Sequence, residues 1–398
     1  MDEFKRKLIA AGFKGEIKDD DKTLEFYSHD ASMFEIKPQL VVFPKDSKDV
    51  QKLVKLVAEN KEKMPELSIT ARSAGTDMSG GAINDSIIVD FSKHFNKIER
   101  ITSKQIQTQP GVYYRDFYAT SRKHGTLMPT YPASKDLCTV GGMVANNSGG
   151  EKSIEFGKTE DFVDELKVVF ADGVERVVKP ITRAELVKKM AQKDFEGKVY
   201  REIFELCEKH YDEIKAAKPQ VSKDSTGYHL WNVWDREKGI FDLTQLIVGS
   251  QGTLGLVTDI TFRVVPAREQ EGMLVLFMKD MNKLGEVIEK VVAAKPSRFE
   301  SFDDTTLWLS IRFMPSFLKL LGWKKFLRLL ISLIPDGILL LRGIPKLILL
   351  ITFKGSSEEE IREKIHSLHR SLAKYKARYE INGFEEAVTE GKSEKFWL

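Results

Sequence analysis

The stretch that decides the fold is a glycine-rich run, Arg72-Ser73-Ala74-Gly75-Thr76-Asp77-Met78-Ser79-Gly80-Gly81. It follows Leu67–Ala71, which has the composition of a buried strand. Because small residues leave the backbone open, successive N–H groups in such a loop can form a concave nest for a phosphate. Thr76 and Ser79 could add hydroxyl donors. On its own, a loop of this composition is more often an ordinary turn.

Two further stretches of the same character follow. One is Thr139-Val140-Gly141-Gly142-Met143-Val144-Ala145-Asn146-Asn147-Ser148-Gly149-Gly150, entered from Tyr131–Ser134, and the other is Gly249-Ser250-Gln251-Gly252-Thr253-Leu254-Gly255. Each glycine costs conformational entropy on folding, so three glycine-rich loops are more than turns alone would require. We therefore expect them to converge on one large ligand that carries phosphates.

Common nucleotide and hydrolase motifs are not present. No G-x-G-x-x-G opens a helix after the first strand, and Gly157-Lys158-Thr159 lacks the Walker A glycine, because Lys152 stands five positions before Gly157. Gly249–Gly252 is not a G-x-S-x-G nucleophile elbow. These absences argue against ordinary NAD or ATP sites and against a hydrolase triad.

The first two thirds of the chain mix strand and helix patterns. A helix is predicted from an N-cap at Ser47, another over Tyr113–Lys123 ended by Gly125, and charged helices over 181–217 within an insertion of about 181–243. The predicted strands are 39–43, 67–71, 86–90, 105–109, 165–170, 244–248 and 256–265. This mixture indicates an α+β or α/β ligand-binding domain.

A second pattern begins after Pro266. Strands are predicted at 273–278, 298–302, 347–353 and 378–381, and helices at 283–294 and from Ser357, where Glu360 completes a capping box. Two strand–helix–strand units in succession predict a split, ferredoxin-like sheet. The predicted division is an N-terminal extension (1–35), a first domain (36–268) and a second domain (269–398), with the boundary near Pro266–Glu271.

The segment 313–353 combines leucine and isoleucine with basic residues. It carries one acid, Asp336, and six basic residues: Lys319, Lys324, Lys325, Arg328, Arg342 and Lys346. No apolar run reaches the ~18 residues that cross a bilayer. We favour a helical cover over the second sheet; the alternative is a helix lying flat on an anionic membrane.

Composition limits the class of protein. A chain of 398 residues, 42% hydrophobic and 30% charged, is typical of a soluble protein of two or more domains. The net charge of +3 is small for a chain of this length, so the overall charge does not indicate a nucleic-acid partner. Cys138 and Cys207 cannot form a disulfide framework, and the N-terminus lacks an uninterrupted apolar run, so we expect a cytoplasmic protein that is not exported by a secretory signal.

The order of the motifs resembles FAD-linked oxidases of the vanillyl-alcohol-oxidase/p-cresol-methylhydroxylase type, which carry a PCMH-type FAD-binding domain. Within that superfamily the chain is similar to the D-lactate/glycolate/D-2-hydroxyglutarate dehydrogenase branch. The match is strong over about residues 36–268 and loose beyond. The motifs that carry the resemblance are Arg72–Gly81, Gln109–Val112, Pro132–Ser134, Thr139–Gly150, Phe156-Gly157, Asp172-Gly173 and Gly249–Thr258.

The resemblance implies an α+β FAD-binding domain of two subdomains followed by an incomplete ferredoxin-like cap domain. It implies that the following residues bind FAD: Arg72, Ser73, Ala74, Gly75, Thr76, Asp77, Met78, Ser79, Pro132, Ala133, Ser134, Thr139, Gly141, Gly142, Asn146, Gly149, Gly252, Thr253 and Val257. Some members attach FAD through a histidine of the first loop; Arg72–Gly81 contains none, so non-covalent FAD is expected. The family has glycines where Ser73 and Ala74 stand, and Glu where Gln251 stands.

The implied reaction is oxidation of a small 2-hydroxy acid, which needs a hydride acceptor, a base and a cation for the carboxylate. In the resembling branch an arginine follows a tryptophan, and histidines follow further on. Trp397 resembles that tryptophan, and the arginine and histidines of the family come after it. No residue of this sequence matches them, so we assign no catalytic residue and no metal ligand. We expect the missing part either on another polypeptide or in a further part of the same chain, of which this sequence would be a fragment, with a quinone or iron–sulfur protein as electron acceptor. The alternatives are a flavoprotein electron carrier without a substrate site, and a reductase with a nicotinamide donor.

Other conspicuous residues have simpler interpretations. His366 and His369 are three apart on a charged helix, which favours a solvated face over a metal site. His229, in a Gly-Tyr stretch of the family, is interpreted as structural. The aromatic side chains from Tyr113 to Tyr118 are at helical spacing and typical of core. Cys138 is interpreted as a buried, unreactive thiol.

Overall fold

The computed structural model describes residues 1–221, 224, 227–267, 270–309, 312–313, 345–355 and 357–388. Helices are α1 Asp2–Ala10, α2 Asp21–Tyr27, α3 Ser47–Asn60, α4 Tyr114–Lys123, α5 Val140–Ala145, α6 Ser153–Phe156, α7 Arg183–Met190, α8 Phe195–Lys209, α9 Tyr211–Ala216, α10 Thr244–Ile247, α11 Leu284–Ala293 and α12 Glu358–Ala373. Strands are β1 Glu16–Lys18, β2 Leu40–Phe43, β3 Ile69–Arg72, β4 Ile87–Asp90, β5 Ile98–Ile101, β6 Gln105–Thr108, β7 Thr126–Leu127, β8 Val163–Val169, β9 Glu175–Val178, β10 Ile181–Thr182, β11 Trp234–Asp235, β12 Ile240–Phe241, β13 Leu256–Arg263, β14 Val265–Pro266, β15 Gln270–Met278, β16 Arg298–Asp303, β17 Leu347–Gly355 and β18 Ile381–Ala387. Most of the basic apolar segment, and Trp397, lie outside the described residues.

The chain divides into two compact units. The first comprises 1–150 and 157–267, and the second comprises 151–156 and 268–398. Residues 1–35 are part of the first unit, since β1 pairs with β2. The chain passes from the first unit to the second after Ala267, and the composition of 151–156 gives no sign that this short segment belongs to the second unit.

A four-stranded sheet of order β1-β2-β4-β3 begins the first unit. β2, β4 and β3 are parallel, and β2 and β4 are buried along their whole length, as expected for strands covered on both faces. Helix α3 buries Val50 and Leu53 against this sheet. Its N-cap is Asp46, whose carboxylate accepts the N–H of Asp49, and the expected cap Ser47 is instead the first helical residue.

The second sheet of the first unit is antiparallel, in the order β5-β6-β13-β8-β9. The insertion follows β9, and its helices α7–α9 lie with a small sheet β10-β12-β11. The predicted strand over 244–248 is wrong, because Thr244–Ile247 form the helical turn α10. A buried apolar run of this length suits a strand or a helical turn equally, and periodicity does not distinguish the two.

The second unit has one antiparallel sheet of order β16-β17-β15-β18. The strands of two strand–helix–strand halves interleave, as the sequence predicts. Helices α11 and α12 cover one face through a core that includes Val287, Ile361 and Ile365. The last strand begins at Ile381 rather than at Arg378, because 378–380 precede it as a turn.

Among the described residues, no helix is long and apolar enough to span a bilayer.

Candidate functional site

The three glycine loops of the first unit meet around one cavity of about 590 Å³. This volume lies within the usual range for a site that encloses a small ligand or cofactor. The first loop leaves the carboxyl end of β3, the second contains α5, and the third leads into β13. The convergence expected from the sequence is therefore present in the structure.

Hydrogen bonds and close packing hold the loops together. Two hydrogen bonds join the third loop to the second. The N–H of Gly249 donates to the carbonyl of Val144 at 2.9 Å, and the N–H of Gln251 donates to the carbonyl of Ala145 at 2.9 Å. The first loop approaches the third so closely that a Cβ on Gly81 would lie 3.2 Å from Oε1 of Gln251. A side chain at Gly81 would therefore require the Gln251 side chain to shift by a few tenths of an ångström.

The second loop needs glycine for a different reason. A Cβ on Gly141 would lie 2.4 Å from the Cβ of Pro110, and one on Gly150 would lie 2.3 Å from the carbonyl oxygen of Tyr131. Both contacts are shorter than van der Waals separation allows. The glycines therefore let α5 lie directly against its neighbours and present its first turn to the cavity.

The first loop presents a row of backbone donors. Within the described part of the chain, the N–H groups of Ser73–Met78 donate to no protein acceptor. Such orphaned amides are costly where water is excluded, unless a ligand accepts from them. Gly75 has a φ of +67°, in the left-handed region that the turns of anion nests use.

Asp77 closes the end of this row. Its carboxylate accepts the N–H of Ser79, at 2.9 Å, and the N–H of Gly81, at 2.7 Å. Burial alone would raise the pKa of Asp77, but these hydrogen bonds outweigh burial and hold the pKa below its usual value. The carboxylate is thus occupied within its own loop.

Arg72 lies beneath the loop. Its guanidinium donates to the carbonyls of Tyr27, at 3.4 Å, and Ala82, at 3.3 Å, and lies 5.0 Å from the centre of the Tyr27 ring. A Cβ on Gly75 would be 2.7 Å from this guanidinium. Burial lowers the pKa of Arg72, as expected for a cation removed from water. The guanidinium of Arg72 thus places a positive charge behind the row of amides.

Most of the residues expected at the site line the cavity. They are Ser73, Ala74, Gly75, Thr76, Asp77, Met78, Ser79, Pro132, Ala133, Ser134, Thr139, Gly141, Gly142, Asn146, Gly252 and Val257. Arg72, Gly149 and Thr253 do not line it; the Thr253 hydroxyl instead contacts the Tyr228 hydroxyl at 2.7 Å. Further lining residues from the quoted loops and motifs are Gly81, Pro110, Met143, Ala145, Ser148, Ser250, Gln251 and Gly255, and those that sequence reasoning missed are Ala71, Ala82, Phe91, Cys138 and Ile247. Several of these are apolar, and in the sequence they are indistinguishable from core.

The lining is almost free of charge. Asp77 is the one ionisable acid or base among the described lining residues other than the Cys138 thiol, so phosphates here must be bound by amides and hydroxyls. Cys138 is buried, and burial raises the pKa of its thiol to about 11, so the thiol stays protonated near neutral pH. Gln251, at φ +55°, donates from Nε2 to Oδ1 of Asn146 at 3.0 Å. An almost uncharged wall of small, hydroxyl-bearing and apolar residues suits a large, partly aromatic cofactor.

The histidines lie elsewhere. His229 is buried, with Nδ1 2.6 Å from Glu160 and Nε2 3.4 Å from Asp224. His366 and His369 on α12 both approach the carboxylate of Glu386, at 3.1 Å and 2.5 Å.

One group among the described residues brings three potential metal ligands together. It consists of Glu25, His29 and Glu35, and all three are exposed.

The residues present fit an adenine dinucleotide with a flavin. The cavity offers a row of amides, with no acceptor among the described residues, for a pyrophosphate, and small residues for a long ligand. In the described part of the chain we assign no base for a substrate hydroxyl.

Comparison with known proteins agrees with this geometry. Residues 38–179 match the FAD binding domain family. The D-2-hydroxyglutarate dehydrogenase of Pseudomonas putida is 30% identical over 313 residues, 78% of this chain and 31% of that protein. The glycolate oxidase subunit GlcD of Bacillus subtilis is 26% identical over 309 residues, 76% of this chain and 54% of that protein.

A solved structure shows the same fold. An alkyldihydroxyacetonephosphate synthase superposes with a TM-score of 0.67 at 16% identity, covering 98% of this chain and 60% of that one. The chain thus spans between about a third and about a half of the two curated relatives. The cavity, the match over residues 38–179 and the shared fold agree: the chain contains an FAD binding domain and binds FAD.

Proposed function

We propose that the chain acts in the oxidation of a small 2-hydroxy acid, such as D-2-hydroxyglutarate, glycolate or D-lactate, with FAD held non-covalently. The observation that carries the proposal is the cavity with its row of unpaired amides, together with relatives named for such substrates. When bound, FAD supplies the hydride acceptor. The first loop contains no histidine for a covalent link.

Each loop has a part in holding the cofactor. The amides of Ser73–Met78 bind the pyrophosphate, with the charge of Arg72 behind them. Thr139 and Asn146, at the two ends of α5, add a hydroxyl and an amide beside the cavity. The apolar side chains of Met143 and Ile247 exclude water from the remaining wall.

Anaerobic titration tests the reaction. Purified protein with FAD is mixed with D-2-hydroxyglutarate, glycolate or D-lactate, and the flavin absorbance is followed. Bleaching by one acid is expected and, if that acid is D-2-hydroxyglutarate or D-lactate, no bleaching by its L enantiomer. Persistent colour with every acid, even after the candidate partner chain is added, would favour a flavoprotein electron carrier. Bleaching by NADPH alone would favour a reductase.

We also propose that the chain works with a second polypeptide that supplies substrate contacts or accepts electrons, as an iron–sulfur protein or a quinone-linked protein would. The support is that a curated relative is named as a subunit. Co-purification of the products of adjacent reading frames with the tagged chain tests this. A tagged chain that oxidises the acid fully alone, with a quinone analogue as acceptor, would contradict the need for the partner.

A cytoplasmic location, with contact to the inner membrane surface, completes the proposal. Both cysteines are buried and free, as in a reducing compartment. The part of the segment 313–353 that precedes β17 has the basic and apolar composition typical of a surface-lying helix. Flotation with anionic liposomes is expected to carry the wild type, and not the Lys324→Glu, Lys325→Glu, Arg328→Glu variant. Equal binding of both would end this part of the proposal.

A further inference from the structure

The second glycine loop contains a buried residue that does not line the cavity. Asn146 and Ser148 both line it, whereas Asn147 between them does not and is only 1% exposed. Asn147 has a φ of +44°, in the left-handed region that residues other than glycine adopt rarely. Contacts on the side away from the cavity must therefore hold this part of the loop in its conformation.

Glu160 binds the side-chain amide of Asn147 at both of its ends. Nδ2 of Asn147 donates to Oε2 of Glu160 at 3.0 Å, and Oδ1 accepts the N–H of Glu160 at 3.0 Å. Thr159 adds two bonds to the next residue of the loop, because its N–H and its hydroxyl both donate to the carbonyl of Ser148, at 3.1 Å and 2.7 Å. Residues 159–160, which precede β8, thus fix the second loop from behind.

The carboxylate of Glu160 is itself buried and held by two further side chains. Because a carboxylate accepts hydrogen bonds, Nδ1 of His229 is the donor to Oε2, at 2.6 Å. Nζ of Lys158 lies 3.0 Å from Oε1. The His229 ring is 3% exposed and stacks on that of Trp231, with 4.8 Å between the ring centres. A buried carboxylate is costly unless its oxygens are paired, so these contacts keep Glu160 in place.

The segment that carries His229 is also tied to the third loop. The hydroxyl of Tyr228 lies 2.7 Å from that of Thr253. Gly249, at the start of the third loop, approaches the second so closely that a Cβ on it would lie 3.2 Å from the Cβ of Asn147. The end of the insertion therefore supports two of the three loops that form the cavity.

We propose that Glu160 is a positioning residue for FAD. It acts through Asn147 to hold the second loop in the conformation that binds the cofactor, and His229 holds Glu160 in turn. None of the three lines the cavity, so their effect on FAD must pass through the loop. The apparent Kd for FAD rises as the fraction of molecules in the binding conformation falls. The inference concerns cofactor binding and does not depend on which substrate the flavin oxidises.

FAD titration of the apoprotein, followed by flavin fluorescence, tests the role of Glu160. Glu160→Ala removes the carboxylate and is expected to weaken FAD binding about tenfold, as for the loss of a hydrogen bond to a charged group. Glu160→Gln keeps an oxygen that accepts from Asn147 and is expected to restore most of the affinity. A role in stability alone would not predict this rescue, since both variants remove the charge that pairs with Lys158. Affinity as weak in Glu160→Gln as in Glu160→Ala would overturn the inference.

A double-mutant cycle tests whether Glu160 acts through Asn147. Asn147→Gly removes the side-chain amide but allows the left-handed backbone conformation. In that background Glu160→Ala has no amide left to hold and is expected to weaken FAD binding by less than about twofold. If the double variant instead shows the product of the two single effects, Glu160 acts on FAD by another route and the inference fails.

The matched control is Glu196→Ala. Glu196 is also buried, pairs with Lys189 at 2.5 Å and does not line the cavity. Its replacement is expected to lower the midpoint of urea unfolding, as Glu160→Ala does, and to leave FAD affinity unchanged. Equal loss of FAD affinity from both variants would mean that stability alone explains the effect. If Glu160→Ala does not fold, His229→Phe takes its place in the cycle with the same expected outcomes, because it keeps a ring on Trp231 and loses the donor to Glu160.

Discussion

Gly75 is the residue on which the shape of the first loop depends. It combines a φ of +67° with a site where a Cβ would lie 2.7 Å from the Arg72 guanidinium. Gly75→Ala is therefore expected to cost about 1–3 kcal/mol of stability through backbone strain and to flatten the row of amides. We expect the purified variant to contain little FAD, measured as the ratio of flavin to protein absorbance.

Gly125→Ala is the control for this substitution. Gly125 has a φ of +70°, but a Cβ there would have no neighbour within 4 Å, and the residue does not line the cavity. It is expected to lose stability by about 1 kcal/mol and to keep its FAD. Equal loss of FAD from both variants would mean that general destabilisation, and not the loop, releases the cofactor.

Lys152 predicts a pH dependence of stability. Its pKa is lowered to about 6 in the folded chain, chiefly by burial, from an ordinary value of 10.5. Between these values the unfolded chain binds more protons, so this group makes stability rise with pH from about 6 to about 10.5. Urea unfolding across this range is expected to show a smaller rise in Lys152→Met than in wild type. An unchanged slope, or one reduced equally in Lys346→Met, at an exposed lysine, would contradict it.

Individual residues divide into those that local sequence predicts and those that it does not. The glycines and hydroxyls of the first loop could be assigned, because the loop builds its own nest. The sequence places Arg72 at the site, but it does not show that its guanidinium lies beneath the loop. That position depends on hydrogen bonds to the carbonyls of Tyr27 and Ala82, which local sequence does not reveal. The grouping of His229 with Glu160 is invisible in the sequence, since 69 positions separate them.

At the scale of elements, α5 is the helix that turns a glycine-rich stretch into part of a site. Thr139 caps it by accepting the N–H of Gly142 at 3.4 Å, and its side chain is buried at the cavity. Thr139→Val removes the cap with little change of shape and is expected to cost about 1 kcal/mol. It is also expected to weaken FAD binding several-fold, measured by fluorescence titration of the apoprotein.

Thr182→Val provides the comparison. Thr182 caps α7 in a capping box with Glu185, and neither residue lines the cavity. A loss of stability similar to that of Thr139→Val, with FAD affinity unchanged, is the expected result. If Thr182→Val weakened FAD binding to the same degree, the role assigned to α5 would be wrong.

Elements with a clear period were predicted within a few residues, as β2, α4, β15 and α12 illustrate. Two kinds of element were not. The run 244–248 has too few residues to show a period, and α5 is glycine-rich, so its helicity comes from its cap and neighbours and not from propensity. Strand order, such as β2-β4-β3, depends on long-range pairing that local patterns do not contain.

At the scale of the whole molecule, the site is assembled from segments that are distant in the chain. The cavity takes its walls from 71–82, 132–148 and 247–257, together with Phe91 and Pro110. The convergence of the loops could be predicted from the sequence. Each glycine costs conformational entropy on folding, so three glycine-rich loops indicate that a ligand or another segment approaches the backbone closely. The sequence could not predict how the loops join, since the bonds from Gly249 and Gln251 to the second loop depend on the finished packing.

An assembly of this kind predicts how the cofactor stabilises the first unit. A ligand that binds the folded state alone adds RT ln(1 + [L]/Kd), about 2.7 kcal/mol at a hundredfold excess over Kd. We expect the amides of Ser73–Met78 to bind a pyrophosphate. FAD is therefore expected to raise the melting temperature of the apoprotein most and ADP to raise it less. Riboflavin, which has no phosphate, is expected to raise it least. Hydrogen exchange of 73–78 is expected to slow with FAD and ADP and to stay fast with riboflavin. Equal protection by riboflavin and FAD would show that the flavin ring, and not the row of amides, is what the first loop binds.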